Sequence, residues 1–218
     1  MYYVKEGKKM KPYLKLFLAT VIPLGIVTGT ALTASAKQVR IEVLNVKCGN
    51  TEDVTGADEF YIAAALSDGT NTNAAFTSPI SINNGQTKSF SSAQQILFNA
   101  NVPQGVTVRG GLKAFDEDWA KDWSKYSSTA TKIKNAVVAG LNASSNPKAV
   151  TAATILNYGF QVFSTLSYFD QDDQLGKLEL NVSPVGPNVE EKEWKFSKSD
   201  WTGWSSWNYT VRYRITRS

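Results

Sequence analysis

The feature that most constrains this chain is the strict alternation near its end. Over residues 207–216, Tyr209, Val211, Tyr213 and Ile215 fall on one side and Thr210, Arg212, Arg214 and Thr216 on the other. A period of two sends successive side chains to opposite faces, so this segment reads as a strand with one face buried. The same pattern occurs within residues 38–46, where Val39, Ile41 and Val43 oppose Arg40 and Glu42. Shorter runs of strand character follow at 59–66, around Ile80, and at 88–90, 95–98, 106–115, 177–182 and 192–196. Polar turns separate them: residues 69–73 read as one, and Asn83-Asn84-Gly85 as another. Gly110 and Gly111 are read as marking a bulge in their strand. About eight short strands with polar turns predict a mainly β fold, an antiparallel eight-stranded β-sandwich.

One region departs from that pattern. Residues 129–141 are alanine-rich, with Ile133, Val137 and Leu141 at helical spacing. Pro147 is expected to open a second helix that runs to about Tyr168, proline being favoured in a first turn. The result is an α-helical hairpin, about residues 127–169, inserted between two strands of the sandwich. Residues 150–169 carry no charge. Ile155, Leu156, Tyr158, Phe160, Val162, Phe163, Leu166 and Phe169 therefore have two candidate destinations, the sandwich or a bilayer.

The N-terminus has a different character. Lys8, Lys9, Lys11 and Lys15 precede an apolar stretch from Leu16 to Leu32, which ends in Ala34-Ser35-Ala36. That is the order of a secretory signal peptide, 1–36, with cleavage expected after Ala36 and a single domain, 37–218, left behind. The alternative is an uncleaved anchor. The expected location is secreted, periplasmic or cell-surface. The whole chain has a net charge of +4, from 23 basic and 19 acidic residues. Residues 1–36 hold five lysines and one glutamate, so the remainder carries 18 of each sign and is neutral. The basic balance thus belongs to the leader, and nucleic acid is not an expected partner.

Residue usage narrows the chemistry further. There is no histidine, and Cys48 is the only cysteine. Ser-His-Asp and Cys-His nucleophilic catalysis, the usual zinc sites and an internal disulfide are all excluded. Carboxylate acid–base chemistry and hard-cation binding by oxygen remain. No catalytic residue is nominated, and an enzyme is not expected. Cys48, at a strand end, reads as a small buried hydrophobe.

Carboxylates gather in two places beside strand ends. One is Glu52-Asp53-Val54-Thr55-Gly56-Ala57-Asp58-Glu59. The other is split by the helical insert, with Asp116-Glu117-Asp118 before it and Asp170-Gln171-Asp172-Asp173-Gln174-Leu175-Gly176 after it. Crowded carboxylates repel, and calcium, which takes six to eight oxygens in irregular geometry, offsets that repulsion well.

This arrangement resembles a C2 domain, an eight-stranded sandwich that binds calcium and phospholipid. Asp53, Gly56, Asp58, Tyr61 and Ile62 follow the order of one of that family's calcium loops. Asp116 and Asp118, then Asp173-Gln174-Leu175-Gly176, follow the order of another. Glu59 stands where the family usually has proline, and the second loop carries the long insert. The resemblance implies calcium as cofactor, with Asp53, Asp58, Asp116, Asp118 and Asp173 as metal ligands and Asp172, Asp170 and Glu52 in reserve. It implies calcium-dependent binding to membrane lipid or an envelope component. Trp119, Trp123, Trp201, Trp204 and Trp207 suggest an alternative, a polysaccharide-binding sandwich that stacks sugars on exposed indoles. A purely structural exported protein is the third reading.

Overall fold

Alternation of apolar and polar positions gives strands only where a second layer covers the apolar face, and here three layers do so. The computed structural model describes residues 35–51, 56–116, 126–163, 173–199 and 206–218. Its strands are β1 (Ala36–Asn50), β2 (Asp58–Ser67), β3 (Thr72–Phe76), β4 (Ile80–Ile82), β5 (Thr87–Ser89), β6 (Ile96–Pro103), β7 (Val108–Asp116), β8 (Asp173–Val182), β9 (Val189–Lys198) and β10 (Trp207–Arg217). Two helices, α1 (Tyr126–Ala143) and α2 (Ala152–Phe163), stand between β7 and β8. The expected leader lies outside the described residues.

The strands form two antiparallel sheets, a β-sandwich. One sheet runs β5-β1-β10-β9, with β6 also paired to β1; the other runs β3-β2-β7-β8, with β4 also paired to β2. Among the described residues ten strands are present where eight were expected, and the register explains the difference. β6 pairs with the first half of β1 and β5 with the second half; β3 and β4 divide β2 in the same way. The ten segments therefore occupy eight lanes, two of which are interrupted edge lanes. At one interruption Thr77 bridges the gap, its hydroxyl accepting from the Ile62 amide at 2.8 Å and its own amide donating to the Ile62 carbonyl at 2.9 Å.

The central strand β2 of sheet β3-β2-β7-β8 is buried on both faces. Phe60, Ile62, Ala64 and Leu66 face the other sheet, where they meet Ile41, Val43, Val211 and Tyr209. Tyr61, Ala63 and Ala65 face outward into a second core, with Ile133, Val137, Leu141, Ile155, Leu156 and Phe160 from the helices. This packing settles the destination of the described half of the hairpin: Ile155, Leu156 and Phe160 are buried against the sandwich. Val162, Phe163, Leu166 and Phe169 lie outside what is described at side-chain level. No described helix is long and apolar enough to cross a membrane.

Three local expectations are corrected. Residues 69–73 are not all turn, since Thr72 and Asn73 already belong to β3. An edge strand of sequence Thr-Asn-Ala-Ala-Phe has too little apolar alternation to announce itself. Pro147 does not open α2. It starts a short 3-10 turn, Pro147–Ala149; Val150 is then extended, and Thr151 caps α2 through the Thr154 amide at 3.2 Å. Gly110 and Gly111 mark no bulge; the register slip between β7 and β8 falls at Ala114/Phe115. The two glycines serve close approach instead: a Cβ would come within 2.0 Å of the Ala65 carbonyl oxygen at Gly110 and 1.9 Å of the Leu178 oxygen at Gly111.

Candidate functional site

Strand register brings three of the predicted ligands to one end of the sandwich. Phe60 pairs with Asp116 across β2 and β7, and Asp116 pairs with Asp173 across β7 and β8. Asp58 lies two residues from Phe60, so it shares the inward face of β2 and sits diagonally across from Asp116. Asp116 likewise shares the face of the buried Leu112 and Ala114. Side chains are described for Asp58 and Asp116, which are 0% and 2% exposed. Asp173 is placed by its backbone alone. Asp53 and Asp118 lie outside the described residues, as do Glu52, Asp170 and Asp172.

Each described carboxylate has a donor from a distant part of the chain. The Tyr209 hydroxyl donates to Asp58, and the Glu59 amide donates to Asp116 Oδ1 at 2.8 Å. Burying a carboxylate without such partners would be strongly unfavourable. Beneath Asp58 lies an aromatic layer: Tyr209 is 5.0 Å from Phe60 and 5.8 Å from Phe196, centroid to centroid, and Phe196 is 4.4 Å from Trp194. Burial first, then the Asp58 hydrogen bond, pushes the Tyr209 hydroxyl well above the ordinary tyrosine range, so it remains a donor. Cys48 is beside it. Burial pushes that thiol up to about 11, with the Tyr209 hydrogen bond opposing and Asp58 adding to the rise. It is a buried, unreactive thiol, as its position in the sequence suggested.

The adjoining strand ends are tied together. Asn84 Oδ1 accepts from the Thr51 amide at 2.6 Å, the Cys48 carbonyl accepts from Gly85 at 3.0 Å, and Asn50 donates its side-chain amide to the Ser206 carbonyl. Gly85 has φ +76°, which the Asn83-Asn84-Gly85 turn requires. Asn50, paired with Asn208, and Lys198, paired with Trp207, mark the same end on the opposing sheet. The connections to β2, α1, β8 and β10 all leave or enter here. In sequence those connections contain Asp53, Asp118, Asp170, Asp172, Trp119, Trp123, Trp201 and Trp204.

Two sequence expectations fare differently at this end. Trp207 is not a sugar-stacking surface: it is 7% exposed and packs edge-on to Phe196 at 6.0 Å. The other indoles nominated for that role lie outside the described residues. Among the described residues no group of three or more metal-ligating side chains is assembled. Sequence reasoning missed Tyr209 as the partner of Asp58. Its inward position was legible from the alternation, but the pairing spans 151 residues.

Fold and site together define a class: an antiparallel β-sandwich with a helical hairpin over one sheet and carboxylates clustered at one end. No protein-family model matches the chain, and no curated protein matches its sequence. Among solved structures the chain is similar to human GIVD cytosolic phospholipase A2 in complex with methyl gamma-linolenyl fluorophosphonate, with a TM-score of 0.40 and 11% identity. The match covers 84% of this chain and 17% of that one. At that identity and TM-score the likeness assigns neither fold nor activity.

Proposed function

We propose that this protein is an exported binding module, not an enzyme, whose acidic end takes up calcium and in that state engages a membrane surface or envelope partner. The observation that carries the reading is the shared register of Asp58, Asp116 and Asp173 on adjacent strand ends. Two buried carboxylates on one face repel, and a divalent cation would offset that repulsion. The donors are hard oxygens, which suits calcium rather than zinc. Asp58, Asp116 and Asp173 would hold the ion from the strands, with Asp53 and Asp118 contributing from the connections. The ion would supply positive charge and order to those connections.

Thermal unfolding with calcium and with a chelator, at matched ionic strength, tests the reading. At about a hundred times its dissociation constant a ligand of the folded state adds about 2.7 kcal/mol, equivalent to about 5–10 °C for a domain of this size. The shift should be absent with magnesium and abolished in Asp116→Asn. No shift at millimolar calcium would end the metal reading. A calcium shift without calcium-dependent vesicle binding would end only the membrane part.

A further inference from the structure

The outer face of β7 carries a cation that the acidic end does not use. Lys113 lies between the inward-facing Leu112 and Ala114, so it points to the helical side. Its direct partner on β8 is Lys177. Side chains opposite one another in an antiparallel ladder have Cβ atoms about 5 Å apart, so two ammonium groups share one patch. Lys177 is offset by Glu179 at 2.9 Å. Lys113 has no carboxylate partner among the described residues; its Nζ stands 4.8 Å from the centre of the Phe160 ring. Burial first, and Lys177 second, push its ammonium below the ordinary lysine range. The charge is thus held where it is unfavourable, and an anion would relieve it.

There is room for one. A recess of about 450 Å³ is lined by Lys113, Asn157, Phe160 and Gln161. Asn157 and Gln161 are four residues apart on α2, so both amides lie on the same helical face. The helix itself carries no charge, so no carboxylate from α2 competes for the lysine.

We propose that this recess binds a single phosphate-type oxyanion, held by the Lys113 ammonium group and the amides of Asn157 and Gln161, with Lys177 adding positive charge from the facing position on β8. A tetrahedral oxyanion offers acceptors in several directions, which suits one ammonium and two amides arriving from a strand and a helix, whereas a carboxylate presents a planar pair of oxygens. The shared chemistry is a phosphate monoester, whether a free solute or a lipid headgroup. This site is separate from the acidic end and does not require calcium.

The test is calorimetric titration of the protein with inorganic phosphate at low ionic strength, with chelator present. In parallel, sedimentation is followed with phosphatidylcholine vesicles, with and without phosphatidic acid. Saturable binding is expected, weakened about tenfold or more in Lys113→Met, whose apolar stem still covers Phe160. Lys177→Gln should weaken it less, because Glu179 already offsets that charge. Lys195→Gln, on the other sheet beside Glu193, should leave it unchanged. Capture by phosphatidic acid vesicles that Lys113→Met loses would identify the headgroup as the source; binding of free phosphate alone would identify a soluble monoester. Equal binding by wild type and Lys113→Met overturns the proposal, as does the absence of binding to both probes.

Discussion

The two ends of the sandwich bury charge in opposite ways. At the end away from Asp58, the buried charges Asp68 and Arg217 are each met by several groups. Asp68, 1% exposed, accepts from the amides of Thr70 at 2.7 Å and Asn71 at 2.6 Å and from the Asn71 side chain at 2.8 Å. Arg217, 5% exposed, donates to the Ser183 and Pro187 carbonyls, both at 2.8 Å, and to Glu190 at 3.1 Å. Gln38 and Ser218 exchange two backbone hydrogen bonds and tie the first strand to the last. At the acidic end, Asp58 and Asp116 accept from Tyr209 and from the Glu59 amide, and two carboxylates share one face. The first end is built as a closed turn region. The second holds like charges together, the arrangement on which the proposed calcium site rests.

That contrast predicts different responses to damage. The largest effect belongs to the closed end. Arg217→Met removes three hydrogen bonds from a buried cation and leaves two carbonyls without that donor, which should cost about 3 kcal/mol. Urea unfolding should return the same loss with calcium and with chelator. A loss that calcium repairs would mean that the two ends are not independent.

Tyr209→Phe should cost less, about 1–2 kcal/mol, because it removes one donor and keeps the ring in the aromatic layer. Here calcium matters. If Asp58 is a ligand, calcium should restore much of the loss, since the cation takes over the charge that the hydroxyl stabilised. An equal loss with calcium and with chelator would make Asp58 a structural carboxylate and remove it from the proposed ligand set.

The same contrast governs what could be read from the sequence. The sandwich was legible because β10 alternates along its length and β1 does so up to Val43, where a register shift moves the inward set to Val46 and Cys48, as the burial of Val39, Ile41 and Val43 and of Tyr209, Val211, Tyr213 and Ile215 bears out. Strand number was overshadowed by the interrupted lanes, because β3 and β5 are short, polar edge segments held mainly by their partners. The Asp68 turn could have been found, since an aspartate two and three residues before the amides it caps is a local signal. Asp58 and Asp116 entered one candidate ligand set by motif order; that they share a face depends on a β2–β7 register that no local pattern encodes. The bond from Tyr209 to Asp58 is less legible still. Both positions face inward by parity, yet only the stacking of two separate sheets makes them meet.

The smallest effect concerns acid. Glu190 sits beside Lys192 at 2.9 Å and Arg217 at 3.1 Å, and these two, Lys192 first, hold its carboxyl below the ordinary range. A carboxyl whose pKa is lower in the folded chain than in the unfolded one stabilises the fold above the unfolded value, about 4.3, and ceases to do so as pH falls through the folded value. The difference in urea midpoint between wild type and Glu190→Gln should therefore be constant near neutrality and shrink below about pH 4. Added salt should reduce it at neutral pH, because Glu190 and Lys192 are partly solvated. A difference that persists unchanged into acid would show that the carboxylate contributes nothing through its charge. Arg217 would then be anchored by the Ser183 and Pro187 carbonyls alone, and the closed end would owe its stability to backbone capping rather than to ion pairing.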